Sequence, residues 1–155
     1  MTTNLVVADL DRSKNTICLA VSPSVKALGV KNRCRIRDIP PNIQHIVAPP
    51  RMKIYIACAA EIHGVFLRYI APEDIYTYSI DESFIDVTPY LKMYGKTARE
   101  LAKEIIQTVR DVVGTVSACG IGTNLYLAKV ALDILAKHDP EFIAELDEDS
   151  YRESM

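Results

Sequence analysis

A chain of 155 residues, with 49% apolar and 25% charged side chains, has the makeup of one soluble globular domain with a sizeable core. It holds no uninterrupted apolar run near the roughly 20 residues that cross a bilayer, and Met1-Thr2-Thr3-Asn4 has neither the basic nor the apolar region of a signal peptide, so the expected location is the cytoplasm. The net charge of -2 names no partner, and Cys18, Cys34, Cys58, Cys119, His45, His63 and His138 are too scattered for a zinc site; reduced, mostly buried thiols are expected.

In chain order, Leu5–Ala8 and Thr16–Val21 are short β-branched runs around a polar stretch and predict two strands joined by a turn. Ser22-Pro23 opens a short helix that Gly29 ends. Ile46–Ala48 predicts a strand after a basic, proline-bearing connection. Ile54, Tyr55, Cys58, Ala59, Ile62, Phe66 and Ile70 mark one apolar face of a helix that Pro72 stops. Two runs, 75–80 and 83–88, predict a hairpin around Asp81-Glu82, although Asp-Glu is not a favoured turn pair. Thr97 and Glu100 form a capping box before a helix bearing Leu101, Ile105, Val109 and Val112. A strand over 115–121, a helix from Thr123-Asn124 to Asp139-Pro140, a short strand at 143–146 and the start of a helix at 149–155 complete the series. Hairpins mixed with helices predict an α+β fold, a mixed or antiparallel sheet with helices packed on one face.

Charge is distributed unevenly. Lys26, Lys31, Arg33, Arg35 and Arg37 follow one another without an intervening acid, whereas the segment after Asp139 is acidic. Such a basic stretch can neutralise nucleic-acid phosphates, although on charge alone a solvated surface segment is the preferred reading.

Asp81 and Glu82 are adjacent acids between runs that should enter a sheet. On a flat strand they would point to opposite faces; a bend lets both reach one ion. Their mutual repulsion is relieved by a cation, and Mg²⁺ takes one or two carboxylates together with substrate phosphates. Taken alone, the pair reads more readily as a wet hairpin tip.

The surrounding residues change that reading. Ser79-Ile-Asp-Glu-Ser-Phe-Ile-Asp-Val-Thr88 resembles the S-I-D-E-x-F-[LI]-D-[VL]-T signature of the Y-family, or translesion, DNA polymerases. Ser117-Ala-Cys-Gly-Ile-Gly-Thr-Asn-Leu-Tyr-Leu-Ala-Lys-Val-Ala131 resembles the family's S-x-G-I-[GS]-x-N-[KL]-x-[LF]-A-K-[IV]-A segment, and Ala20-Val-Ser-Pro-Ser-Val-Lys-Ala-Leu-Gly-Val30 is similar to its A-S-Y-E-A-R-x-x-G-[VI]. Pro23 stands at the family's Tyr position and Lys26 at its Arg position; lysine keeps the charge and loses the two-pronged geometry. The last pattern points to the UmuC-like branch.

The resemblance implies a palm over residues 1–21 and 51–148, with a small fingers insertion at 22–50 and the start of a thumb at 149–155. It implies that Asp81 and Glu82 are catalytic ligands of two Mg²⁺ ions, and that Lys129, Lys26 and Ser22 meet the incoming nucleotide. Lys31, Arg33 and Arg35 are then DNA contacts. The family's opening strand, with its metal-binding Asp, has no counterpart here; Asp9 lacks the aromatic pair that follows that Asp, and Asp86 has no catalytic part. Implied partners are primer-template DNA, a deoxynucleoside triphosphate and a sliding clamp, in error-prone synthesis during the SOS response to damaged DNA. The chain by itself is expected to be inactive, and a sheet edge left without a neighbouring strand is expected to favour self-association. Two other readings stay open: a non-catalytic DNA-repair accessory module, and a palm-fold nucleotidyl cyclase, against whose diguanylate version the lack of a G-G-[DE]-[DE]-F turn argues.

Overall fold

In the first fifty residues the central strand is β1 (Leu5–Val7), flanked by β2 (Ala20–Val21) and β3 (Ile46–Ala48). β2 runs antiparallel to β1 and β3 parallel to it, with Val6 opposite both Val21 and Val47. The β-branched run places Val6 inward, where it is fully buried. Helix α1 (Pro23–Ala27) starts with proline in its first turn and buries Val25. It packs with Val6, Ala8, Cys18, Val21, Val30, Ile39 and Ile43 into one small core. The basic connection returns along the chain before β2: Ile17 bridges Arg35 in antiparallel fashion, and a tight 3-10 turn follows at Ile36–Asp38. The computed structural model describes residues 3–13 and 15–154. Met1, Thr2, Lys14 and Met155 lie outside them, and with them the first two residues of the opening segment and the last of the 149–155 segment. The chain divides into two compact units, residues 1–53 and 54–155.

The second unit follows from α2 (Met52–Phe66). Next come the hairpin of β4 (Ile75–Thr77) and β5 (Ser83–Ile85), then α3 (Thr88–Tyr94) and α4 (Ala98–Val113). β6 (Cys119–Gly122), α5 (Leu125–Val130), β7 (Ile143–Leu146) and α6 (Glu148–Ser154) complete it. The capping box predicted at α4 is formed: Thr97 Oγ1 accepts the Glu100 N–H and Glu100 accepts the Thr97 N–H. Leu101, Ile105 and Val109, spaced by four, are the buried stripe of α4. Each contributes about 1.5–3 kcal/mol of apolar burial. Ile70, Leu101 and Ile105 form a core with Phe66, Ile85, Tyr90 and Tyr94 around it.

Three differences from the sequence expectations have physical causes. Helix α3 is new: Thr88-Pro89 starts it and Tyr90, Leu91 and Tyr94 anchor it, Tyr94 Oη donating to the Tyr69 carbonyl at 2.6 Å and Tyr90 Oη to Asp74 at 2.6 Å. Seven residues with few strong helix formers gave no period to read. The helix after Asn124 keeps its α geometry only to Val130 and continues as a π-turn over Ala131–Leu135 and a 3-10 turn over Ala136–His138. Finally, among the described residues the strands form three small sheets in place of one: β2-β1-β3, β4-β5 and β6-β7. The fold is α+β as expected. Among the described residues no helix is long and apolar enough to cross a membrane.

Candidate active site at the acidic hairpin

Residues 78–82 connect β4 to β5, so the turn is wider than the two acids alone. The N–H groups of Tyr78 and Ser79 both donate to the Glu82 carbonyl, at 3.0 and 3.1 Å. This closes the loop on Glu82 and lifts Asp81 and Glu82 out of strand alternation. Ser79 Oγ donates to Asp81 Oδ1 at 3.0 Å. The bend brings Asp81 and Glu82 to the wall of one cavity.

Lys129 reaches the same place from the last turn of α5. Its Nζ donates to both oxygens of Glu82, at 2.8 and 2.7 Å, and lies 3.4 Å from the Asp133 carboxylate. The ammonium also sits 5.7 Å from the centre of the Tyr78 ring, which packs edge-on against Phe84. These acids, Glu82 first and Asp133 after it, hold Lys129 above the usual lysine range, so it is a cation at neutral pH. Two segments 47 residues apart therefore meet in one ion pair.

The glycines of β6 explain how α5 comes so close. A Cβ on Gly120 would fall 2.1 Å from the Ala128 carbonyl oxygen, and one on Gly122 would fall 2.3 Å from the Ala128 nitrogen. Neither is in the left-handed region. Their purpose is close approach of helix to strand. Asn124 Oδ1 accepts the Leu127 N–H at 2.9 Å and sets the start of α5. Sequence and packing thus fix Lys129 against Glu82 through two glycines and one cap.

The cavity holds about 930 Å³. Its walls include Phe66 of α2, Phe84 of β5, Ile105 of α4 and Ile121 of β6. β5 pairs with β4 and β6 with β7, and the cavity lies between β5 and β6, which do not pair with each other. Part of the apolar face predicted for α2 looks onto this space: Ala59, Ile62 and Phe66 line it, while Ile54 remains more than half exposed.

Asp81 and Glu82 offer hard oxygen donors suited to a divalent ion. Among the described residues no group of three or more His, Cys, Asp or Glu side chains is placed to hold a metal ion. The fit is thus chemical and partial: two carboxylates, one of them balanced by Lys129. Asp86 plays a local part, accepting the Thr88 N–H at 3.0 Å at the start of α3, a bond that holds its carboxyl below the usual carboxylate range.

The remaining predicted residues lie in the first unit. Ser22 Oγ accepts the Leu5 N–H at 3.1 Å and shares a 2.9 Å hydrogen bond with Ser24, so part of its capacity is spent tying β1 to the start of α1. Lys26 is exposed in the last turn of α1. Lys31, Arg33 and Arg35 are exposed, and among the described residues none is in an ion pair, whereas Arg37 is engaged by Asn15 at 2.8 Å and Asp38 at 3.7 Å. Sequence reading missed Asp133 and Tyr78 beside Lys129. The Lys129–Asp133 spacing of four was a readable helical pair; the Tyr78 contact had no sequence signal.

Known proteins resemble this chain in sequence and in fold. The chain is 31% identical over 152 residues to DNA polymerase IV 2 of Bacillus subtilis, covering 97% of this chain and 36% of that protein. It is 32% identical over 129 residues to DNA polymerase IV of Neisseria gonorrhoeae, covering 83% and 36%. The chain thus spans about a third of the length of these curated relatives. Among solved structures, DinB from Sulfolobus solfataricus superposes with a TM-score of 0.76 at 25% identity, covering 97% of this chain and 43% of the other. A Y-family DNA polymerase chimera of Dbh and Dpo4 superposes at 0.78 with 26% identity and the same coverage. Matched over residues 2–133, and with the fold of these Y-family polymerases, the chain belongs to the impB/mucB/samB family.

Proposed function

We propose that this chain is the palm and fingers of a template-directed DNA polymerase that copies past lesions, and that it works in the cytoplasm during the SOS response. Residues 1–21 and 51–148 are then palm, 22–50 fingers, and 149–155 the start of a thumb. The observation that carries the reading is the Lys129–Glu82 pair beside Asp81, which joins the two family-like motifs in space.

In this reading Asp81 and Glu82 would hold Mg²⁺, which supplies Lewis-acid stabilisation of charge on a transferring phosphoryl group. Lys129 brings a full positive charge, and triphosphate oxygens compete with Glu82 for its N–H donors. Lys26 offers a second point charge to phosphate, and Ser22 a hydroxyl at the start of α1. Lys31, Arg33 and Arg35 present unneutralised charge to the DNA backbone. Partners are primer-template DNA, a deoxynucleoside triphosphate and a sliding clamp. A sheet edge left without the family's opening strand supplies a route to self-association.

The test is a chimera in which residues 2–133 replace the aligned segment of Bacillus subtilis DNA polymerase IV 2. It is expected to extend a primer with Mg²⁺, and Asp81→Ala or Glu82→Ala is expected to lower the rate about 10³-fold or more. A folded chimera with no extension, or carboxylate variants that keep full activity, would refute the proposal.

One observation favours a second reading for the 155-residue chain acting alone. Among its described residues no three acidic, histidine or cysteine side chains are placed to hold a metal ion together. Alone it is expected to bind DNA without extending a primer, as an accessory module would. Detectable synthesis by the isolated chain contradicts this.

A further inference from the structure

Cys18 and Cys34 are 16 positions apart in sequence and neighbours in the fold. The bridge between Ile17 and Arg35 sets an antiparallel register in which the next residue of one strand faces the previous residue of the other, placing Cys18 opposite Cys34. The Cys18 N–H donates to the Cys34 carbonyl at 2.8 Å, and the Ile36 N–H donates to the Thr16 carbonyl at 3.2 Å. Residues that face each other across an antiparallel ladder have Cα atoms about 4.5–5.5 Å apart, inside the roughly 4.4–6.8 Å window of disulfides. Side chains of residues that face each other across an antiparallel ladder emerge on the same face of it, and Cys34 packs against the core in which Cys18 is buried.

The surroundings set an order of reaction. Cys18 is fully buried among Val6, Val21 and Val25, whereas Cys34 is half-buried between Arg33 and Arg35. Burial, with Cys34 adding to it, raises the Cys18 thiol to about 11, so this sulfur rests as a thiol. Cys58 and Cys119 belong to other elements, and among the described residues all four cysteines are free.

We propose that Cys18 and Cys34 form an oxidation-sensitive dithiol that closes to a disulfide when the protein meets hydrogen peroxide. The Cys34 sulfur attacks one peroxide oxygen, the O–O bond breaks, and Cys34 becomes a sulfenic acid with release of one water. The Cys18 sulfur then attacks the Cys34 sulfur; the S–S bond forms, the S–O bond breaks, and the Cys18 proton leaves with the hydroxyl as a second water. Two thiols are oxidised by two electrons and one peroxide is reduced to two waters. The closed loop contains α1, with Ser22 and Lys26, and most of the basic stretch. The bond thus pins Arg33 and Arg35 to the strand that leads into β2. This holds whether or not the polymerase reading does.

Intact-mass spectrometry of the 155-residue chain after peroxide treatment tests it. The expected result is a loss of about 2 Da that dithiothreitol reverses. Non-reducing tryptic digestion should then yield the dipeptide Cys34-Arg35 joined to the peptide Asn15–Lys26. The C58S/C119S double variant should behave identically, and C34S, chosen because position 34 is outside the core, should lose the reaction. The oxidised chain should melt about 5 °C or more above the reduced one. Unchanged mass, stepwise oxygen addition at Cys34 without a linked peptide, pairing with Cys58 or Cys119, or only intermolecular dimers would each overturn the proposal.

Discussion

Lys129 has two acidic neighbours, and Glu82 grips it more closely than Asp133 does. Replacing Lys129 with Met should lower stability by about 1 kcal/mol or less, since a pair this accessible to water is worth little. Urea denaturation checks it. Because the folded state raises the Lys129 pKa, the pair's contribution is fully present below the ordinary lysine value of about 10.4 and is lost as pH climbs through the higher folded value. The stability difference between parent and Lys129→Met should therefore be flat at neutral pH and vanish in strong alkali. In the first unit, charge reversal at Lys31, Arg33 and Arg35 should weaken DNA binding and reduce its salt dependence by roughly one slope unit for each phosphate that is no longer neutralised. Fluorescence anisotropy at several salt concentrations measures both.

Among the elements, α4 and the β6–α5 unit carry the sharpest expectations. Thr97→Ala removes one side of the capping box and should cost about 1 kcal/mol. The Thr97 amide and hydroxyl hold the Glu100 carboxyl below its usual range, so this cap is present above the ordinary carboxylate range and fails as pH falls through the lower folded value. Glu100→Gln should therefore blunt the acid limb of the unfolding curve. Gly120→Ala and Gly64→Ala make an informative pair. At Gly120 the new methyl meets backbone at 2.1 Å, so α5 must move and carry Lys129 away from Glu82; the expected loss is about 3 kcal/mol or more. At Gly64, inside α2, nothing lies within 4 Å, and alanine should stabilise by about 0.5–1 kcal/mol. Thermal melts of both variants decide whether close approach is what the β6 glycines serve.

For the molecule as a whole, the three separate sheets matter most. Two-stranded sheets are marginal in isolation, and here β5 and β6 each have one strand partner and border the same apolar cavity. Light scattering should show a mass that rises with concentration, and Ile121→Lys, which puts a charge on β6, should return the chain to monomer. A parent chain that stays monomeric at every concentration removes the self-association proposal.

Much of this was legible in the residues. Periodicity gave α2 and α4 and the capping box gave the start of α4, because apolar spacing and turn chemistry act over a few residues and leave their marks in local order; Asp81, Glu82 and Lys129 stood out only through the resemblance of their surroundings to the family's motifs. Helix α3, the π-turn after Val130 and the splitting of the sheet were not legible, since each depends on contacts between distant segments. The same holds for the site's geometry. Sequence supplied two acids and a lysine; only tertiary packing, through a loop closed on the Glu82 carbonyl and a helix pressed onto Gly120 and Gly122, decided that the lysine grips the second acid.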